Sequence, residues 1–108
     1  MNDQKLIRTL AECAAECENC VVRCCAEGGM EKCAGLCMDC ADLCAGSIAF
    51  VARGSGSAEE ILRLCGGFCD DCAQECERFP DKEHCRRCAE ACRRCAEACR
   101  SFAETHAG

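Results

Sequence analysis

The chain has no tryptophan and no tyrosine, four phenylalanines and a single proline. An ordinary core in a chain of 108 residues would carry more large side chains. Something other than leucine and phenylalanine must fill part of this interior. The N-terminus reads MNDQKLIRTLAECAAEC, with no apolar stretch of signal-peptide length and no small-residue cleavage site. The longest nearly apolar run, Cys44 to Ala52, is far too short to cross a bilayer. These absences lead us to expect a cytoplasmic chain with no membrane partner. Excess basic charge is missing too. The net charge is −6, whereas a nucleic-acid partner needs the opposite sign gathered in a patch. Arg86, Arg87, Arg93 and Arg94 alternate with Glu along one segment and read as a solvated helix face. No Ser/His/Asp set, cleft-forming carboxylate pair or phosphate loop is visible, so the chain does not read as an enzyme.

What is present is cysteine, 18 of them. In the cytosol thiols are kept reduced, and dense cysteine there reads as metal binding or redox chemistry before it reads as a disulfide scaffold. The length suits one domain, 1–108. Gly28-Gly29, Arg53-Gly54-Ser55-Gly56 and Arg78-Phe79-Pro80-Asp81 punctuate the chain. Between them lie four segments: Asp3 to Cys25, Met30 to Arg53, Ser57 to Arg78 and Asp81 to Thr105. Short connections join antiparallel neighbours.

Spacing makes these segments helices. Leu6, Leu10, Cys13, Cys17, Cys20 and Cys24 advance in alternating steps of four and three. Met30, Cys33, Cys37, Cys40 and Cys44 do the same, as do Leu62, Cys65, Cys69, Cys72 and Cys76. Cys85, Cys88, Cys92, Cys95, Cys99, Phe102 and His106 continue the pattern without a slip. This is the a/d seam of a helical bundle, with cysteine where leucine usually stands. A strand would need a period of two, and no Cys-x-Cys occurs. Every cysteine but Cys25 lies on a seam. Ser57-Ala58-Glu59-Glu60 has the form of a capping box for the third helix, and Asp81 stands where it would cap the fourth. Gly66-Gly67 weakens the third helix. The expected fold is all-α, an antiparallel up-down-up-down four-helix bundle with a Cys-lined core.

That topology makes the two ends unlike. One gathers Leu6, Leu10, Ile48, Val51, Ile61, Leu62 and Phe102 as a hydrophobic plug. The other gathers Cys24, Cys33, Cys76 and Cys85, with Met30 and His84 beside them, and a metal would enter there. Two cysteines three or four apart on a helix are about 5 to 6 Å apart at Cβ. Such a pair suits metal bridging when both side chains lean together, or when each sulfur also pairs across to another helix. Soft thiolate selects Cu(I), Zn(II) or iron–sulfur clusters. Zinc sites are usually discrete quartets. Iron–sulfur runs need consecutive three-residue steps, which never occur here. Cu(I) accepts two or three thiolates and tolerates bridging sulfur. One copper per cysteine would give a capacity on the order of 18 ions. A zinc or general heavy-metal thiolate buffer is the alternative, and a thiol redox module a more distant one. The redox reading needs an activated thiol with a resolving partner, which the sequence does not mark.

The run Cys72-Ala73-Gln74-Glu75-Cys76, then Arg78 to His84, then Cys85-Arg86-Arg87-Cys88-Ala89-Glu90-Ala91-Cys92-Arg93-Arg94-Cys95-Ala96-Glu97-Ala98-Cys99 resembles the bacterial copper storage proteins, in particular their cytosolic branch. Cys13 to Cys24 and Cys33 to Cys44 carry the resemblance through the first half. It implies a four-helix bundle holding many Cu(I) ions on inward cysteines, assembled as a homotetramer. It also implies His or Met ligands near the open mouth. His84 matches that position, and Met30 is a further candidate at the same end. Cys25 lies near the mouth but off its stripe, so its membership in the core is open. His106 continues a seam at the plugged end and reads as a solvated terminal histidine. Met38 falls off the seam, and Asp39 and Asp42 read as solvated, hard oxygen being a poor partner for Cu(I).

Overall fold

The structure is a computed structural model describing residues 3–106. Four helices follow one another: α1 (Asp3–Glu27), α2 (Glu31–Ala52), α3 (Ala58–Cys76) and α4 (Glu83–Thr105). There is no strand among the described residues. α1 and α3 each pack against both α2 and α4, giving the expected antiparallel bundle. Its extents are 43 × 19 × 19 Å. One core runs its whole length, and at most levels that core is sulfur.

The 3-4 stripes are what make the bundle close. On α1, Leu6, Leu10, Cys13, Cys17, Cys20 and Cys24 are the buried residues. On α2 the stripe continues from Cys44 through Ser47 to Val51. Ser47 is fully buried and donates its hydroxyl to the Leu43 carbonyl at 2.7 Å, so no polar atom is left over where the sulfur stops. Buried alanines on α3 and α4 (Ala73, Ala89, Ala91 and Ala96) flank the seam and let these helices approach. α2 is apolar and long enough to span a membrane by length and composition alone. Its cysteines, Ala34, Ala41 and Val51 point instead into the bundle core.

Helix ends differ from the sequence expectation in two places. Ser57 sits at the N-cap of α3 but makes no side-chain capping bond. Ser55 serves there instead, its hydroxyl accepting from the Ser57 N–H and its carbonyl from the Ala58 N–H, both at 3.1 Å. Glu59, left outside any capping box, pairs with Arg63 at 3.0 Å. The N-cap of α4 is Lys82, not Asp81. Lys82 makes no side-chain cap because an ammonium group has no acceptor to offer the first-turn N–H groups, and it pairs instead with Glu27 on α1. α1 ends on Gly28, whose φ of +77° suits glycine and lets its N–H reach the Cys24 carbonyl.

Candidate metal centre

Each seam delivers its cysteines to the bundle axis, and every cysteine except Cys25 is buried. The seam cysteines are at most 1 % exposed. Their sulfurs form a column whose neighbours are mostly on different helices. Between α2 and α3, Cys33 and Cys76 are 3.7 Å apart, Cys37 and Cys72 3.6 Å, Cys40 and Cys69 3.6 Å, and Cys44 and Cys65 3.7 Å. Between α1 and α4, Cys17 stands 3.7 Å from both Cys88 and Cys92, and Cys13 3.8 Å from Cys92. Sulfurs also meet across the diagonal from α2 to α4: Cys37 to Cys88 at 3.8 Å, Cys44 to Cys95 at 3.9 Å and Cys40 to Cys92 at 4.0 Å. Same-helix pairs this close are few. Cys20 with Cys24 at 3.8 Å and Cys88 with Cys92 at 4.0 Å are examples.

A metal–thiolate bond is about 2.3 Å, the zinc value, so two sulfurs on one tetrahedral ion stand about 3.8 Å apart and two on a linear ion about 4.6 Å. Sets of four thiols in the column lie within 4.8 Å of one another, a spacing compatible with both geometries. Going away from the mouth, five of these sets are Cys20, Cys24, Cys33 and Cys85; Cys20, Cys37, Cys76 and Cys88; Cys17, Cys72, Cys88 and Cys92; Cys13, Cys17, Cys40 and Cys92; and Cys13, Cys40, Cys44 and Cys69. They overlap. Cys13, Cys17, Cys20, Cys40, Cys88 and Cys92 each belong to two of them. A filled column would therefore require sulfur shared between ions.

All the cysteines are free thiols. Burial pushes the Cys24 thiol up to about 12 and the Cys85 thiol up to about 11. Deeper in, the sulfur neighbours of Cys92, Cys13 first, push its thiol up, and burial adds to that. Cys65 and Cys95 do the same to Cys99. Without metal, these thiols hold their protons at neutral pH and pack as small apolar groups. A metal arriving has to displace protons.

The remaining sequence candidates separate by position. Met30 is 6 % exposed and belongs to the core beside the terminal thiols. His84 is half-buried, and its Nε2 is buried without a hydrogen-bond partner. Such an orphaned ring nitrogen next to Cys85 is a vacant ligand position in chemical terms. Cys25 is exposed, outside the column. His106 is exposed, stacks on Phe102 with ring centroids 3.9 Å apart, and bonds the Phe102 carbonyl through Nδ1 at 2.9 Å. Met38, Asp39 and Asp42 are exposed. The arginines of α4 are solvated as expected and tie helices together: Arg87 to Glu16 on α1 at 2.9 Å, and Arg93 to Glu77 at 2.8 Å.

Three residues at the mouth escaped the sequence reading. Phe79 is partly buried against the core. Lys82 and Glu27 form an ion pair at 2.6 Å that ties the α3–α4 connection to the end of α1. The signal was available, since Phe79 stands three residues after Cys76 and so continues the α3 stripe. Pro80, the next residue, marks a loop and masks that continuation.

Fold and site together define a helical-bundle metal-thiolate protein. The family model described as copper storage protein matches residues 1–104. Among solved structures, the chain is similar to the Cu(I)-bound copper storage protein BsCsp3, at 34% identity and a TM-score of 0.89, over 95% of this chain and 99% of that one. It is likewise similar to the apo form of copper storage protein 3 from Bacillus subtilis, at 36% identity and a TM-score of 0.88, over 93% of this chain and 97% of that one. Comparison with curated protein sequences gives no match. The chain belongs to the copper storage protein family.

Proposed function

We propose that this chain stores many Cu(I) ions on the thiolates of its bundle core, as a cytoplasmic homotetramer acting through binding and not through catalysis. The observation that carries the proposal is the continuity of the sulfur column. Its four-thiol sets overlap, so sharing of sulfur is built into the packing. Soft, two- or three-coordinate Cu(I) is the ion that tolerates such sharing. The ligands are Cys13, Cys17, Cys20, Cys24, Cys33, Cys37, Cys40, Cys44, Cys65, Cys69, Cys72, Cys76, Cys85, Cys88, Cys92, Cys95 and Cys99. His84, through its orphaned Nε2, and Met30 bind metal passing the mouth. A reducing compartment suits a protein whose many close thiols must stay unpaired. Exposed Val22, Met38 and Leu64 supply apolar surface for subunit contacts. The whole of 1–108 serves as one metal-binding domain.

One observation favours a second reading. Sulfur separations of 3.6 to 4.0 Å also fit the edge of a zinc tetrahedron. Closed zinc quartets use each thiolate once, so overlapping sets could not all be filled together, although three of them (Cys20, Cys24, Cys33 and Cys85; Cys17, Cys72, Cys88 and Cys92; Cys13, Cys40, Cys44 and Cys69) share no sulfur. An anaerobic titration of the reduced protein with Cu(I) against a competing chelator separates the two. Uptake approaching one copper per cysteine establishes the storage reading. Saturation at about four or five equivalents, with Zn(II) competing effectively, establishes tetrahedral sites.

A further inference from the structure

The sulfur column is shut at both ends. At the mouth, Cys24, Cys33 and Cys76 are 1 % exposed and Cys85 is 0 % exposed. No thiolate there is within reach of an arriving metal complex until something moves. The residues that cover this end share a register. Each stands one three-residue step beyond the terminal cysteine of its own helix: Glu27 after Cys24, Met30 before Cys33, Phe79 after Cys76 and Lys82 before Cys85. These positions extend the four stripes to and past the helix ends: Glu27 is the last residue of α1, Met30 precedes α2, and Phe79 and Lys82 lie in the α3–α4 connection.

Half of this cover is apolar and half is ionic. Met30 is buried, and Phe79 packs against the core with the Arg78 guanidinium 5.4 Å from its ring centre. Opposite them, the Lys82 ammonium meets the Glu27 carboxylate at 2.6 Å, with the two side chains 30% and 41% exposed. The segment bearing Phe79 and Lys82 is short and is anchored at its two ends, where the Phe79 N–H donates to the Cys76 carbonyl at 3.0 Å and the Lys82 carbonyl accepts from the Cys85 and Arg86 N–H groups at 3.1 and 3.0 Å. The Lys82 N–H donates to the Phe79 carbonyl at 3.1 Å, and Arg86 donates to the Pro80 carbonyl at 2.8 Å. Across from it, Gly28 and Gly29 have open space around them.

We propose that Glu27, Met30, Phe79 and Lys82 form a removable cap over the sulfur column, with the Lys82–Glu27 ion pair as its latch. Breaking that pair returns two charges to water at low cost, whereas burying either charge alone against thiols would be expensive. The ionic side therefore opens first, and Phe79 swings away with the α3–α4 connection. Closed, the cap keeps water and competing ligands off the mouth thiols. The cap governs how fast metal passes and not how much is held. As a metal gate it rests on the storage reading above.

The test uses the reduced full chain without oxygen. Stopped-flow spectroscopy follows Cu(I) transfer from its bathocuproine disulfonate complex, and the reverse transfer to excess chelator. Lys82→Met and Glu27→Gln are expected to speed uptake and removal by a common factor of about two to five at low salt, the range for a partly exposed ion pair. At about 1 M salt, where screening is nearly complete, parent and variants converge. The charge swap Glu27→Lys with Lys82→Glu restores the parent rate, and Phe79→Ala accelerates transfer about tenfold through loss of apolar cover. Copper capacity stays at the parent value throughout. Unchanged rates in Lys82→Met and Glu27→Gln overturn the proposal, as does acceleration by Phe102→Ala at the plugged end. A failed storage reading looks different, because the parent itself then takes up few ions. The cap is still tested in that event on the metal-free protein with an aromatic disulfide reagent. Exposed Cys25 reacts first in every variant, and the buried thiols react faster in Lys82→Met. Equal rates for those buried thiols overturn the cap independently of copper.

Discussion

Gly66 on α3 faces Cys99 on α4 so closely that a Cβ at position 66 would stand 3.3 Å from the Cys99 Cβ and 3.7 Å from the Ala96 carbonyl oxygen. The atoms it meets belong to α4 near its backbone and cannot turn aside as the tip of a side chain would. Its neighbour Gly67 is exposed and has nothing within 4 Å of its Cβ position. The two glycines therefore answer oppositely to the same substitution. Gly67→Ala is expected to stabilise the metal-free protein by about 0.5–1 kcal/mol through helix propensity. Gly66→Ala is expected to destabilise it by about 1 kcal/mol as α3 is pushed off α4. Urea midpoints of the two reduced variants check this, and a rise in both would show that the α3–α4 contact yields easily.

Cys92 has four sulfur neighbours within 4.0 Å, from Cys13, Cys17, Cys40 and Cys88. Removing it disturbs every ion those neighbours share. Cys92→Ser is expected to lower Cu(I) capacity by about two equivalents or more, the consequence of bridging sulfur. Cys25→Ser, outside the column, leaves capacity unchanged. The combined replacement of Cys37, Cys69 and Cys92 lowers it further. An anaerobic chelator-competition titration gives the numbers, and an unaltered capacity in the triple variant would sink the ligand assignment.

The raised thiols at the mouth fix the sign of a pH effect. Cys85 keeps its proton up to about 11 and Cys24 up to about 12 in the folded chain. An unfolded thiol gives up its proton near about pH 8.5. Between these values folded Cys24 and Cys85 hold protons that the unfolded chain gives up, so the stability these two thiols contribute falls as pH rises. The urea midpoint of reduced, metal-free protein is expected to be level below about pH 8 and to decline from about pH 9 to 11. A midpoint that stays level across this window refutes the raised thiols at the mouth. Loading with Cu(I) at neutral pH should release protons, measurable by titration at fixed pH.

His84 and Met30 stand at the end of the column that carries Cys24, Cys33, Cys76 and Cys85, the proposed entry for metal. The double variant His84→Ala, Met30→Leu is expected to change the rate of copper loading and removal by about tenfold while lowering capacity by no more than about one or two equivalents. Stopped-flow transfer and equilibrium titration on the same preparation separate the two quantities. Equal rates in variant and parent would remove both residues from the entry path.

Much of this protein is legible because cysteine obeys the same geometry as leucine. Leu10 and Cys13 occupy successive positions of one stripe, and both are fully buried. The steps of three and four therefore report helix, face and core membership at once. The caps were less legible. Ser57 has the right residue type at the right place, yet Ser55 makes the bonds, because the α2–α3 turn brings its hydroxyl and carbonyl nearer. Asp81 lost its role to Lys82, whose side chain is held by a residue 55 positions earlier (27 against 82) that no local rule could supply.

The sequence by itself determined four helices, their inward faces, the sulfur-rich core and its apolar plug, since each follows from a local periodicity that only one helical face can satisfy. Which sulfur stands beside which was decided by the tertiary structure alone. Cys37 lies 3.8 Å from Cys88 and Cys44 lies 3.9 Å from Cys95 because the inward thiols of the diagonal helices α2 and α4 both reach the bundle axis, where close packing leaves no room between them. The closed mouth was decided there as well. Glu27 and Lys82 meet only once antiparallel packing brings the end of α1 beside the start of α4.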